Sequence, residues 1–301
     1  MDSLASGRFT ITADAADRAL ARTLLARAQG TDTFPGLPRP RDAVLIQIAP
    51  DLRRFREYSG AGAPEWGSAI AIPAEHRIVM QGTAAGSDAG DPTAALRHEL
   101  AHLALHESLD DLPPRWFDEG YASWSAREWE RDDALAASVG LVLHGVPPLD
   151  SLDAGFSGGA VRAGMAYALS FRAVADLAAL DSARGLSLFF ARWRASGNMD
   201  RAMREAFGIT EASFEAQWRA RTMRRFGLLA LMANLAAIAA LVALLLTPLW
   251  FARRQRERAR LEAMRAAEAA AERAARASAI ALLLDAAGHE PKRTEREGPS
   301  G

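Results

Sequence analysis

Residues 226–251 read FGLLALMANLAAIAALVALLLTPLWF, a run without a single charge. About 26 residues of helix are enough to cross a hydrocarbon core of ~30 Å. Helices buried in a soluble core rarely run so far without a charge, so the segment is expected to be a membrane span. Its awkward members are Asn234 and Pro248, the latter close to the end, where a lost backbone hydrogen bond costs least. Trp250 stands where an interfacial aromatic belongs.

The span divides the chain. Arg219, Arg221, Arg224 and Arg225 precede it, and Arg253, Arg254, Arg256, Arg258 and Arg260 follow it. By the positive-inside rule the C-terminal side is cytoplasmic, by a narrow margin. The preceding 225 residues then lie outside the cytoplasm of a single-pass cell-membrane protein. That arrangement calls for an export signal, and MDSLASGRFT has neither a basic start nor an apolar run. Either the true start lies further upstream or the topology is inverted. Residues 252–288 are rich in Ala, Arg and Glu, strong helix formers, and read as a basic cytoplasmic helix. It is expected to self-associate, to lie on anionic lipid, or simply to be solvated. Residues 289–301, HEPKRTEREGPSG, read as disordered.

The first 225 residues are expected to form one α+β domain. FTIT at 9–12 alternates as a strand, 15–29 has helical periodicity through Leu20, Leu24 and Leu25, and 44–48 reads as a buried strand. Residues 66–72 (WGSAIAI) and 77–81 (RIVMQ), separated by Pro73, read as two more strands. Beyond residue 92 the signal is helical. Strands followed by helices point to an α+β arrangement.

The chemistry is concentrated in His98-Glu99-Leu100-Ala101-His102. Asp91 and Pro92 read as N-cap and first helical residue. Histidines at i and i+4 on such a helix share one face and can reach one Zn2+ at ~2.1 Å, while Glu99 is near enough to act on water. The chain has no cysteine, which excludes thiol catalysis, thiolate metal sites and disulfides and leaves His, Asp and Glu as ligands. A net charge of -1 argues against a nucleic-acid surface. A catalytic zinc needs a third protein ligand. Ser108 occupies the position where a metzincin has its third histidine, so that class fails. His106, ~12 Å from His98 along the axis, cannot share the metal and reads as uninvolved. Glu119 is the better candidate, because the Pro113-Pro114 turn lets a second helix fold back beside the first.

HELAH followed by PRWFDEGYA resembles the gluzincin metallopeptidases, and among them the peptidase MA-like family, with its HExxH and EGxA boxes. Membrane alanyl aminopeptidases and thermolysin are more distantly similar. The resemblance covers about residues 9–260, including AYALS at 166–170 and FEAQW near residue 214, although only the two boxes are diagnostic. It implies a zincin-like fold, with Zn2+ on His98, His102 and Glu119 and with Glu99 as general base. It further implies a later-helix tyrosine at the oxyanion, for which Tyr167 is the candidate. An edge strand over Ser68, Ala69 and Ile70, running on to Ile72, would bind a peptide by strand addition. The expected activity is hydrolysis of protein or peptide substrates at the membrane. The acidic motif by which the aminopeptidases read a substrate amine is not visible, which favours an endopeptidase. Thermolysin-like enzymes orient the first histidine with an Asp four residues after the ligand Glu; here that position is Ser123, leaving Asp118 or Glu128 for the task. Trp116, Trp124 and Trp129 read as core. The rival readings are a gluzincin-like fold kept as a non-catalytic binding module, and zinc hydrolysis of a non-peptide substrate.

Overall fold

The computed structural model describes residues 2–60, 67–84, 90–110, 113–128, 141, 144–181 and 183–288. The chain separates into two units, Met1–Asn234 and Leu235–Gly301.

The first unit is α+β. Its strands are β1 (Asp2–Ser6), β2 (Phe9–Ala13), β3 (Val44–Ala49), β4 (Ala69–Ile72) and β5 (Arg77–Gln81). They form one mixed sheet in the order β1-β2-β3-β5-β4. β2, β3 and β5 run parallel, while β1 and β4 are antiparallel additions at the two edges. β1 escapes a reading by periodicity because DSLAS is polar and half exposed, a poor strand by composition. Pairing rescues it: Gly7, at φ +60, makes the tight turn that folds it onto β2.

Side-chain alternation sends the strands to two cores. Phe9 and Ile11 of β2, Ile46 and Ile48 of β3, and Ile78 and Met80 of β5 face the main core, where α1 (Arg18–Gly30) packs on β1 and β2 and buries Ala21, Leu24 and Ala28. Val79 and Ala49 face the other side, where α2 (Leu52–Ser59) inserts Phe55. Phe55 is that helix's one buried residue, contributing about 1.5–3 kcal/mol of burial. Leu52 is exposed and, apart from the half-buried Tyr58, the rest of LRRFREYS is polar, which hides the helix from a periodicity argument.

The helical half follows: α3 (Pro92–Leu109), α4 (Arg115–Ala126), α5 (Leu152–Phe156), α6 (Ala160–Ala178), α7 (Ser187–Ser196), α8 (Met199–Phe207) and α9 (Glu211–Thr222). α3 packs on β4 and β5, α4 on α3, and α6 on α4. The α4–α6 approach depends on Gly120. A Cβ there would lie 2.4 Å from the carbonyl oxygen of Ser170, so even alanine would force the helices apart. Trp116 is fully buried and Trp124 packs half-buried against the core, as expected; Trp129, like Trp66 and residues 289–301, lies outside the described residues.

After a π-helical turn at Met223–Gly227 comes α10 (Leu228–Gly288), a single helix of 61 residues and about 90 Å. The span and the basic tail are thus continuous, not two elements. Pro248 lies inside it, and Thr247 Oγ1 donates to the carbonyl of Ala243, one turn back, at 2.6 Å. Among the described residues this is the one helix long and apolar enough to cross a membrane, with a candidate span of Ile238–Leu284. That stretch includes the arginines after Phe251, so only its first part suits hydrocarbon. There Leu244 and Leu249 are 69% and 67% exposed within the chain, the pattern of a helix whose apolar side chains meet something other than this protein.

Candidate metal centre

The centre is built on two helices that the sequence starts and stops sharply. Asp91 caps α3 by accepting from the Thr93 N–H at 2.8 Å, with Pro92 in the first turn. Seven residues on, His98 and His102 project from one face, ring centroids 5.0 Å apart. α4 begins after Pro113-Pro114 and carries Glu119 across to them.

One ligand atom from each of His98, His102 and Glu119 lies within 4.8 Å of the other two. Glu119 Oε2 is 3.5 Å from His98 Nε2 and 3.6 Å from His102 Nε2. Those separations are too long for hydrogen bonds. They match the ~3.4 Å between ligand atoms around a tetrahedral ion bound at ~2.1 Å. The donor set therefore fits a divalent metal ion, with two neutral imidazole nitrogens and one carboxylate oxygen.

Each Nδ1 is held from behind. His98 Nδ1 lies 3.0 Å from Glu128 Oε1, and His102 Nδ1 lies 2.7 Å from Asp118 Oδ1. When a metal binds, the imidazoles are neutral, and a carboxylate there keeps the proton on Nδ1 and frees the Nε2 lone pair for the ion. The sequence left Asp118 and Glu128 as alternatives; both serve, one per histidine. Ser123, at the thermolysin-like position, is buried with its hydroxyl unpartnered. His106, read from the sequence as uninvolved, extends the row: its Nε2 lies 3.2 Å from Asp118 Oδ2. Its spacing one turn after His102 was the available signal, because that places it over the same neighbour on α4.

Burial and charge act in opposition here. Burial disfavours the charged form of His98, yet the carboxylates of Glu119 and Glu128 hold its pKa up at about 9. His102 is likewise raised, against burial, chiefly by Asp118. Burial alone would lift the two partners, but His102 and His106 hold Asp118 down at about 2, and the two ligand imidazoles hold Glu119 lower still. Glu99 differs. Burial dominates and raises its pKa, the direction a base working near neutrality needs. Its Oε2 accepts from the Ala71 N–H at 2.6 Å.

That contact locates the free side of β4, the terminal strand of the sheet. Gln81 N donates to Ser68 O at 2.9 Å, so antiparallel alternation turns the backbone groups of Ser68 and Ile70 toward β5. Of Ser68, Ala69 and Ile70, only Ala69 has its N–H and C=O on the open edge, and Ala71 joins it there. Tyr167, on α6, has its ring centroid 6.4 Å from that of His98 and packs edge-on against Phe156.

The outer carboxylates yield an expected result. Glu128→Gln and Asp118→Asn each lower metal affinity about 10- to 100-fold, because an amide can present the wrong partner to Nδ1. Competition against a chelating dye measures it; affinity unchanged in both variants would remove them from the centre.

No protein-family model matches the chain, and no curated protein matches its sequence.

Proposed function

We propose that the chain is a membrane-anchored zinc metallopeptidase, an endopeptidase of gluzincin type with a zincin-like catalytic domain over residues 1–225. The observation that carries the reading is the convergence of His98 Nε2, His102 Nε2 and Glu119 Oε2, with Glu99 beside them on the same helix. A zinc ion held by His98, His102 and Glu119 would supply Lewis acidity for the scissile carbonyl and for activating water near neutral pH.

The chain's own groups do the rest. Glu99, with its pKa raised by burial, takes a proton from the attacking water and returns it to the leaving amine. Tyr167, beside His98, donates its hydroxyl hydrogen to the developing oxyanion. The outward N–H and C=O of Ala69 pair with an extended peptide, while the Ala71 N–H, next along the same edge, is held by Glu99 and so sets the carboxylate beside that peptide. The uncharged run of α10 anchors the domain, and the arginine asymmetry directs the tail to the cytoplasm.

Purified full-length chain is expected to hold about one zinc per chain and to cleave an unstructured protein such as casein. A chelator should abolish cleavage and added zinc restore it. Bound zinc with no cleavage of casein or a peptide library that depends on Glu99 would overturn the reading in favour of a binding module.

A further inference from the structure

A cluster of cations lies away from the metal centre. A cavity of about 430 Å3 is lined by Arg172 and Asp176 of α6, Arg221 and Thr222 of α9, and Arg224 and Arg225 of the π-helical turn. Four guanidinium groups face one carboxylate there, a surplus of three positive charges among the lining residues. Asp176 is already committed: Arg172 Nη2 bonds its Oδ1, and Arg221 Nε approaches its Oδ2 only to 3.4 Å.

Three polar atoms of this cavity are withdrawn from solvent without an internal hydrogen-bond partner: Arg221 Nε, Arg221 Nη2 and Thr222 Oγ1. Thr222 is 1% exposed. Buried donors left unmade cost about 1–3 kcal/mol each, more when charged, so their clustering marks a place built for an acceptor from outside. A group with several anionic oxygens offers acceptors to such donors, and guanidinium groups favour phosphate.

The chain's course indicates which phosphate. Arg225 is the residue before the uncharged run that begins at Phe226, so in sequence the cavity ends where the hydrocarbon-compatible helix starts. Arginines next to the start of a span lie within reach of lipid headgroups. We propose that this cavity is a site for the phosphate of an anionic phospholipid headgroup. The assignment to lipid rests on the membrane reading above; the phosphate chemistry does not.

The test uses the full-length chain in neutral detergent micelles, titrated with dioctanoyl phosphatidylglycerol, dioctanoyl phosphatidylcholine and inorganic phosphate, with binding read by native mass spectrometry. Phosphatidylglycerol should bind at least about fivefold tighter than the other two, and Arg221→Gln and Arg224→Gln should each lose about fivefold. Arg224 is exposed, so its variant keeps the fold if the Arg221 variant does not. Inorganic phosphate binding as tightly as the lipid, and weakened by Arg224→Gln, would overturn the lipid assignment in favour of the free ion. Equal phosphatidylglycerol affinity in wild type and a folded Arg224→Gln would overturn the site itself. Carbonate extraction of cell membranes tests the anchor separately: chain released without detergent sinks the membrane reading alone.

Discussion

Glu99→Gln is expected to lower peptide cleavage by about 10^2- to 10^4-fold, the range in which a positioned general base contributes, while zinc content stays at the wild-type level. The reasoning is geometric. Glu99 sits next to His98 but is not among the three converging ligands, so the metal loses nothing when it becomes an amide. Glutamine keeps the length and the acceptor that meets the Ala71 N–H at 2.6 Å, so helix and edge strand stay registered. What disappears is the ability to hold a proton. A variant that retains cleavage would sink the general-base assignment; one that loses zinc as well would show Glu99 to be part of the metal's own support.

Glu119→Gln should act on the metal before it acts on rate. Its carboxylate oxygen faces both Nε2 atoms at 3.5 and 3.6 Å, and its pKa is held down by those imidazoles. An amide oxygen offers no charge to replace it. The expected loss of zinc affinity exceeds the about 10- to 100-fold of the outer carboxylates. Stability reports it directly: zinc at a thousand times its wild-type dissociation constant adds about 4 kcal/mol to wild type, and should add less than about 1.4 kcal/mol to the variant. Thermal unfolding with and without zinc is the measurement. An equal zinc-induced rise in both proteins would exclude residue 119 as a ligand.

Much of this was legible in the sequence, and for identifiable reasons. The start of α3 was written in Asp91-Pro92, because caps are local chemistry. Strand β2 was visible because burial on alternate faces imposes a period of two, and β3 and β5 because short apolar runs buried on both faces read as interior strands. What escaped depends on partners distant in sequence. DSLAS becomes a strand only because β2 lies beside it, and LRRFREYS packs chiefly through Phe55, with Tyr58 beside it. Which of Asp118 and Glu128 serves which histidine is decided by how α4 lies on α3, which no spacing within either segment encodes. Helix was expected on both sides of Phe251; that a single helix runs through was not visible, for a different reason. A change from apolar to charged residues marks a change of surroundings, and backbone geometry need not follow it.

Asp118, Glu119 and Gly120 are consecutive, yet each serves a different neighbour: one steadies an imidazole from behind, the next meets the same ring from the front, and the third admits the backbone of α6. Successive helical residues point about 100° apart, so the three act as spokes of one wheel. Inserting or deleting a single residue upstream within α4 would swing all three spokes off target together. The motif's lack of slack is a property of rotation, and it would hold however well each residue were replaced on its own.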